Sequence, residues 1–175
     1  VLALTLMTPY MVSREIAEVQ NLTARLGIRH RLLTLPMPDD ITHNPPDRCY
    51  RCKRTLFAEL KAVAATEGLV WLADGTNQDD LSDYRPGMRA LQELAVRSPL
   101  LEAGLGKADI RRYARALDLP VWNKPASACL LTRLPHDTDV HPGVLRRVEA
   151  AEWVLLNLGF NTVRVNVGKI GRAHV

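Results

Sequence analysis

The sequence has 175 residues, which is room for one domain or for one domain and part of a second. Apolar residues make up 47% of it, but no run of 18 apolar residues occurs, so we expect no membrane span and no membrane partner. The net charge of +4 is compatible with anionic substrates such as nucleotides or RNA. The first residues lack a basic-then-apolar leader pattern, and a cytoplasmic location is expected.

Strand patterns and helix patterns alternate along the chain. We predict strands at 1–6, 29–35, 69–73 and 162–167, a short strand or extended piece at 97–101, and helices from 13 to 26, from the Cys49–Cys52 segment to about 67, at 88–94 and 107–117, and after Pro142. Such alternation predicts an α/β fold with a mostly parallel sheet and helices on both faces.

Two of the three cysteines open one predicted helix. Asp47 is the candidate N-cap, and Cys49, Cys52, Leu56 and Leu60 recur at steps of three and four residues, which predicts one shared inward face. A helix N-terminus favours thiolate over thiol. The pair is therefore suited to a metal, an iron–sulfur cluster or sulfur in transit.

Cys129 lies far away in a predicted loop between Pro125 and Arg133. An odd cysteine count without a secretory signal argues against a disulfide framework. A zinc site with His43 or His136 as fourth ligand is the main alternative to a cluster, and small buried thiols are the plainest one.

The segment after the strand at 69–73 is dense in polar groups. In parallel sheets, ligands bind beyond the carboxyl ends of strands, which is where Gly75 to Asn77 are expected. Asp80 and Asp83 follow and are candidates for holding Mg²⁺, and Lys107 opens a helix, where its ammonium and the helix dipole suit a phosphate. The alternatives are an ordinary turn, solvated acids and an exposed lysine.

Four blocks of sequence together resemble a known family. They are NPPDRCYRCK at 44–53, ADGTNQDDLSDYRPG at 73–87, VRSPLLEAGLGKADIRRYARALDLPVWNKPASACLLTR at 96–133, and RRVEAAEWVLLNLGF at 146–160. They resemble the LarE family of ATP-dependent sulfur transferases, within the PP-loop ATP pyrophosphatases. The resemblance covers residues 1–165.

The resemblance implies a fold and a reaction. The fold is a Rossmann-like ATP pyrophosphatase domain, of the adenine nucleotide alpha hydrolase-like type, over residues 1–135, followed by the start of a smaller C-terminal domain over 136–168. ATP adenylylates a carboxylate of pyridinium-3,5-biscarboxylic acid mononucleotide, and sulfur then replaces AMP to give a thiocarboxylate. Two such rounds build the nickel-pincer cofactor of lactate racemase.

The resemblance also implies roles for particular residues. In one branch of the family a single Cys of the loop gives up its own sulfur; in the other, that Cys joins a CxxC pair to hold a 4Fe–4S cluster that carries extra sulfide. The three thiols here resemble the cluster type. The implied set comprises the metal ligands Cys49, Cys52 and Cys129, the catalytic Cys129 and Arg133, the nucleotide-binding Gly75, Thr76, Asn77, Asp80, Asp83 and Lys107, and Arg164 for the substrate phosphate.

The sequence departs from the family pattern at its ends. The family's phosphate loop, SGGxDS, does not occur in the 175 residues. We therefore expect a fragment that lacks its N-terminal part and does not turn over ATP alone. Residues 169–175, KIGRAHV, match the translation of a sequencing adapter and are expected to be an artefact.

Two other functions compete with the sulfur transferase. A tRNA-thiolating PP-loop enzyme also combines CxxC with a distant Cys, but no RNA-binding patch is evident and no nucleic acid partner is expected. A non-catalytic metal- or redox-binding module is the alternative that the missing phosphate loop favours. The full-length enzyme is expected to form a homo-oligomer.

Overall fold

The computed structural model describes residues 1–168 and divides the chain into two units. Unit 1 combines Val1–Pro46 with the chain from Ser127 onward, and unit 2 is Asp47–Ala126. The domain boundary predicted near residue 135 falls inside unit 1 and stays a prediction. The prediction that 169–175 is an artefact lies outside the described residues.

Unit 1 opens with a strand–helix–strand motif. Strands β1 (Leu2–Met7) and β2 (Arg29–Thr34) pair in parallel, from Leu2 opposite Arg29 to Met7 opposite Thr34. Helix α1 (Ser13–Arg25) connects them, because parallel neighbours need a crossover. These three elements confirm the sequence prediction.

The N-terminus of α1 has no capping side chain of its own. The N-cap residue is Val12, and Ser13 is the first helical residue. The Ser13 amide and hydroxyl both donate to Glu149 Oε1, each at 2.6 Å, so a carboxylate distant in sequence satisfies one of the free amides of the first turn.

The rest of unit 1 contains two 3₁₀ turns and one long helix. A 3₁₀ turn spans Asp39–Ile41, another spans Leu130–Arg133, and helix α6 runs over Pro142–Asn157. The core of the unit consists of buried apolar side chains from these elements, from β1 and from the loops next to them: Leu6, Tyr10, Val12, Ile41, Leu130, Leu131, Leu134, Leu145 and Val148.

Asn44 joins two distant parts of this unit. It is fully buried, and its Nδ2 donates to the carbonyls of Leu131, Leu134 and Pro135 at 3.3, 3.2 and 2.7 Å. Its φ of 50° lies in the left-handed region, which Asn tolerates better than most residues. A buried amide therefore holds the 39–44 loop against the segment that follows Cys129.

Unit 2 is mainly helical. Its elements are α2 (Arg48–Thr66), a 3₁₀ turn at Gln78–Leu81, α3 (Gly87–Glu93), α4 (Pro99–Glu102) and α5 (Lys107–Ala116). Helix α2 packs on α3, and both contribute buried side chains, namely Leu56, Leu60, Ala64, Ala90 and Leu91. The predicted helices at 88–94 and 107–117 are confirmed to within a residue.

The predicted third strand, 69–73, is wrong in the described chain. Only Ala73 pairs, through an isolated parallel bridge to Arg97, while Val70 and Trp71 are 85% and 68% exposed. Strand patterning predicts burial, but a strand forms only where a neighbour supplies hydrogen bonds. The short strand or extended piece predicted at 97–101 is found only at its start, where Arg97 forms the bridge, and it is wrong from Pro99, which begins α4.

The predicted strand at 162–167 is likewise absent from the described residues. This segment is extended, with Val163 and Val165 less exposed than Arg164 and Asn166, so the alternation is present without a strand partner. The structure thus shows an α/β chain with a small parallel sheet, and the Rossmann-like arrangement stays a prediction. Over residues 1–168, no helix combines the length and apolarity that crossing a membrane requires.

Candidate functional site

In unit 2, the carboxylate of Asp74 organises the predicted nucleotide loop. Its Oδ1 accepts from the Thr76 amide at 3.2 Å and from the Ser98 hydroxyl at 2.6 Å, and its Oδ2 accepts from the Thr76 hydroxyl at 2.5 Å. Because a side chain bonded two residues ahead closes a turn, Gly75 lies at the tip of an Asx-type turn.

Asn77 and Asp80 form a reciprocal cap for the 3₁₀ turn that follows. The Asp80 carboxylate accepts from the amide and the side-chain nitrogen of Asn77, at 3.1 and 2.9 Å. Asp80 is only 3% exposed, and Arg85 Nη2 and Lys107 Nζ approach its other oxygen to 2.8 and 3.7 Å. Two cations already neutralise this carboxylate, which favours a structural role over direct binding of Mg²⁺.

The start of α5, predicted to suit a phosphate, has an anionic partner from the chain itself. The Lys107 amide donates to Asp79 Oδ2 at 2.5 Å, and the Gly106 amide donates weakly to Asp109 at 3.4 Å. Carboxylates of the chain thus occupy the helix N-terminus, where the dipole favours an anion. Asp79 was not among the predicted residues, although its position in an acid-rich loop ahead of a helix was a usable signal.

Of the six predicted nucleotide-binding residues, five lie together. Gly75, Thr76, Asn77, Asp80 and Lys107 belong to the hydrogen-bonded loop and its ion pairs. Asp83 lies at its edge, exposed and 3.5 Å from Arg85 Nη2. Asp83 is consequently the carboxylate of the predicted pair with room for a cation, and its assignment stays a prediction.

A surface ion pair supports the same loop from α4. Arg97 donates to Glu102 at 2.8 and 2.5 Å, and the Arg97 carbonyl accepts from the Asp74 amide. The hydrogen bond from Arg97 lowers the pKa of Glu102 below its ordinary value of 4.5. Glu102 therefore has a structural role beside this loop.

The CxxC pair lies in the first turns of α2, as predicted. Asp47 is the N-cap residue, but its carboxylate accepts from Arg51 Nε at 2.8 and 2.9 Å, with no side-chain hydrogen bond to the helix amides. Cys49 is exposed and Cys52 is half-buried, so the expected common buried face begins only at Leu56.

Helix α3 approaches the CxxC turn through a glycine. A Cβ on Gly87 would lie 2.7 Å from Lys53 Cδ and 3.2 Å from the Cys49 carbonyl oxygen. A side chain at this position would displace Lys53 and press on the Cys49 carbonyl, so glycine suits the close approach of α3 to α2. The carbonyl of Cys49 is therefore packed even though its side chain is exposed.

Cys129 belongs to unit 1 and precedes the 3₁₀ turn Leu130–Arg133. It is half-buried, and its carbonyl accepts from the Thr132 amide at 3.1 Å and the Thr132 hydroxyl at 2.8 Å. Cys129 also lines a cavity of about 240 Å³ whose other walls are β1, α1 and residues 127–128. A thiol beside a cavity in a fixed loop is a suitable place for sulfur chemistry.

Arg133 is buried in an ion pair that the sequence did not reveal. Its Nε and Nη2 donate to the two carboxylate oxygens of Glu152 at 2.7 and 3.2 Å, and the two side chains are 4% and 5% exposed. The predicted catalytic role of Arg133 stays a prediction, and the structure buries its side chain. A signal for Glu152 was its spacing from Leu145 and Val148 on the inward face of α6.

Arg164 lies exposed in the extended segment after α6. The amides on its C-terminal side are fixed: Val165 donates to Glu152 Oε1 at 3.0 Å, and Val167 donates to the Arg133 carbonyl at 2.7 Å. The backbone near Arg164 is thus ordered while its guanidinium is open to solvent.

The three cysteines are divided between the units, with Cys49 and Cys52 in one and Cys129 in the other. Within either unit, over residues 1–168, no three His, Cys, Asp or Glu side chains are arranged to hold a metal ion. His43, a candidate zinc ligand, is hydrogen-bonded to Asp139 in unit 1. The cluster and zinc predictions both stay predictions.

No protein-family model matches the chain. It is 40% identical over 165 residues to an uncharacterised protein of Synechocystis sp., which covers 93% of this chain and 62% of that protein. It is 38% identical over 153 residues to the pyridinium-3,5-bisthiocarboxylic acid mononucleotide synthase of Lactiplantibacillus plantarum, covering 86% of this chain and 55% of the synthase. An uncharacterised protein of Methanocaldococcus jannaschii is 35% identical over 127 residues, covering 73% of this chain and 50% of its own length. The chain therefore spans only half to three-fifths of these relatives.

Proposed function

Because the chain is a homologue of the LarE synthases, as its motifs predicted, we propose that it forms part of an ATP-dependent sulfur transferase. Its substrate would be pyridinium-3,5-biscarboxylic acid mononucleotide, and its product the corresponding thiocarboxylate. The observation that carries the proposal is 38% identity to the named synthase over a stretch that includes most of this chain.

The proposed reaction has two steps. A substrate carboxylate oxygen attacks the α-phosphorus of ATP, and pyrophosphate leaves. A sulfur nucleophile then attacks the acyl carbon, and AMP leaves. If Cys129 itself is the nucleophile, its Cβ–S bond breaks as its α-proton is removed, which leaves dehydroalanine in the protein and a thiocarboxylate on the substrate.

The two units offer different parts of this chemistry. In unit 2, the loop around Gly75, Thr76 and Asn77 would bind the nucleotide, and the exposed Asp83 would be a ligand for the Mg²⁺ that accompanies it. In unit 1, Cys129 would supply or carry the sulfur, and the exposed Arg164 would pair with the substrate phosphate. The rigid Asx-type hydrogen bonds of the loop and the half-buried setting of Cys129 support these assignments.

The donor chemistry fits a 4Fe–4S cluster only in part. Thiolates are the preferred ligands of such clusters, and Cys49 and Cys52 share one side of α2 near its positive end. When held by these two and Cys129, a cluster would supply one iron without a protein ligand for a bound sulfide. No step above depends on the cluster.

The test is a reconstituted reaction with the protein that carries this chain. ATP, Mg²⁺ and the pyridinium dicarboxylate mononucleotide are supplied, pyrophosphate is measured, and the thiocarboxylate is detected by mass spectrometry. Cys129→Ala should abolish the thiocarboxylate while pyrophosphate release continues. A wild-type protein that releases no pyrophosphate with this substrate would overturn the proposal.

Two further measurements separate the sulfur sources. Anaerobic iron and sulfide analysis tests the cluster, with Cys49→Ser as the matched variant. Intact-protein mass after turnover tests the sacrificial route, because dehydroalanine formation removes one H₂S from the chain. Zinc without iron would favour a structural metal site at the CxxC pair.

A further inference from the structure

All three nitrogens of the Arg133 guanidinium are used, and every partner lies in unit 1. Nε and Nη2 bind Glu152, while Nη1 donates to the Thr132 hydroxyl at 2.7 Å and, weakly, to the Ala128 carbonyl at 3.4 Å. Thr132 in turn donates to the Cys129 carbonyl. Through Thr132, Arg133 therefore fixes the backbone at Cys129.

The other side of the pair holds the segment that carries Arg164. Glu152 Oε1 accepts from the Val165 amide in addition to Arg133, and the Arg133 carbonyl accepts from the Val167 amide. Both members of the pair thus contact the chain just after Arg164. A single network connects the Cys129 loop, α6 and the Arg164 segment.

Stability alone is a poor explanation for this arrangement. Removing two charges from water costs several kcal/mol for each ion, and a well-packed apolar pair of similar volume is often as stable or more so. What an apolar pair does not provide is directional hydrogen bonds to chosen backbone groups. Here the charged pair satisfies groups on two separate segments at once.

We propose that Arg133 and Glu152 are positioning residues for sulfur transfer, which fix Cys129 and Arg164 in one rigid unit. This inference rests on the proposed function for its kinetic consequence. Arg133 acts on the Cys129 loop through its hydrogen bonds to Thr132 and to the Ala128 carbonyl. Glu152 is the residue that couples the loop to the Arg164 segment.

The kinetic consequence is selective. Misplacing a nucleophile by about 1 Å can reduce a rate about 100-fold. Sulfur transfer should fall by about that factor when the pair is replaced, and KM for the pyridinium substrate should rise as Arg164 loses its fixed place. Pyrophosphate release should keep its maximal rate, because the proposed nucleotide-binding residues belong to unit 2.

The decisive variant is the double substitution Arg133→Met with Glu152→Leu. It removes both charges together, so no buried charge is left unpaired and folding should survive. The matched control is Glu149→Gln, one turn earlier on α6, whose carboxylate contacts Ser13 instead. Sulfur transfer at the wild-type rate in the folded double variant would overturn the proposal.

A variant that is conservative at Glu152 adds a second criterion. Arg133→Met with Glu152→Gln keeps an oxygen that can accept from the Val165 amide and leaves no buried charge unpaired. It should recover part of the sulfur transfer lost in the Arg133→Met, Glu152→Leu protein. Equal impairment of the two folded double variants would show that the hydrogen bond to the Arg164 segment has no positioning effect.

Amide hydrogen exchange tests the same network without any turnover. Exchange at Val165 should accelerate about 10-fold in the double variant, as expected for the loss of one hydrogen bond, and stay unchanged in the Glu149→Gln control. Unchanged protection of Val165 in the double variant would overturn the positioning role. If the wild-type protein instead releases no pyrophosphate, the proposed function fails, and the exchange result still decides the structural claim.

Discussion

Two regions carry the candidate site, and the hydrogen bonds inside each of them span very different distances in sequence. Around Cys129 in unit 1, polar contacts join residues far apart: Arg133 to Glu152 is a separation of 19, and Asn44 to Leu131 is one of 87. In the loop of unit 2, Asp74 binds Thr76 two residues on, and Asn77 binds Asp80 three residues on. The first region depends on tertiary packing, whereas the second largely organises itself.

The regions differ in burial as well. Both members of the Arg133–Glu152 pair are buried, so water screens their attraction little. Asp80 is equally buried, but its cations Arg85 and Lys107 are 43% and 48% exposed and retain solvent. A single substitution should therefore cost much more in unit 1 than in unit 2.

The largest effect is expected from Arg133→Met alone. It leaves the Glu152 carboxylate buried without its cation, which should lower the free energy of unfolding by about 3–5 kcal/mol. Urea denaturation of the chain measures this loss. Adding Glu152→Leu should recover most of it, because the unpaired charge is then gone.

The two substitutions are expected to be strongly non-additive, since the residues are in direct contact. A double variant whose loss equals the sum of the two single losses would contradict the buried pair. The control is Arg146→Met, a cation exposed on the same helix α6, which should change stability by less than about 0.5 kcal/mol.

Asn44→Ala should come next. It removes the donor to three carbonyl oxygens and leaves alanine at φ 50°, where its Cβ is strained and no side-chain hydrogen bond compensates. The free energy of unfolding should fall by about 3 kcal/mol in total. Asn44→Gly is the matched control, because glycine adopts this φ freely. It should lose about 1 kcal/mol less, and equal losses would mean that the backbone conformation contributes nothing.

A smaller loss is expected in unit 2. Asp80→Ala removes the reciprocal cap with Asn77 and should cost about 1–2 kcal/mol. Asp83→Ala, at an exposed acid three residues later, should stay within about 0.5 kcal/mol. Equal effects of the two alanine variants in thermal unfolding would show that the burial of Asp80 has no energetic consequence.

The same difference in sequence separation explains what the sequence could predict. The alternating strand–helix–strand motif of unit 1, the CxxC helix with its Asp47 N-cap position, and the polar loop at 74–80 all follow from patterns within about ten residues. The type of each of these elements was predicted correctly, because local hydrogen bonds and hydrophobic periodicity determine the element type.

Partners far apart in sequence were not predictable in this way. The role of Glu149 at the start of α1, the burial of Arg133 by Glu152 and the three carbonyls bound by Asn44 all depend on which segments meet in space. The strand predicted at 69–73 failed for a related reason, since its apolar pattern needs neighbours that the described chain supplies only at Ala73. Side-chain type alone did not distinguish a surface arginine from a buried one.

The smallest expected effect is a titration at the surface of unit 2. The hydrogen bond from Arg97 lowers the pKa of Glu102 below 4.5, so between the two values the unfolded chain binds more protons than the folded chain. Stability from this pair is therefore complete above about pH 4.5 and is lost as the pH falls through the folded pKa.

An NMR titration of the Glu102 carboxyl should show the lowered pKa, and Arg97→Met should return that pKa towards 4.5. Glu93, whose pKa is lowered by Arg89 and then by Tyr50, is the internal control and should not move. A Glu102 pKa that is unaffected by Arg97→Met would mean that the exposed pair is too well solvated to hold its geometry. Of these contacts, only the backbone hydrogen bond from the Asp74 amide to the Arg97 carbonyl would then support the Asp74 loop.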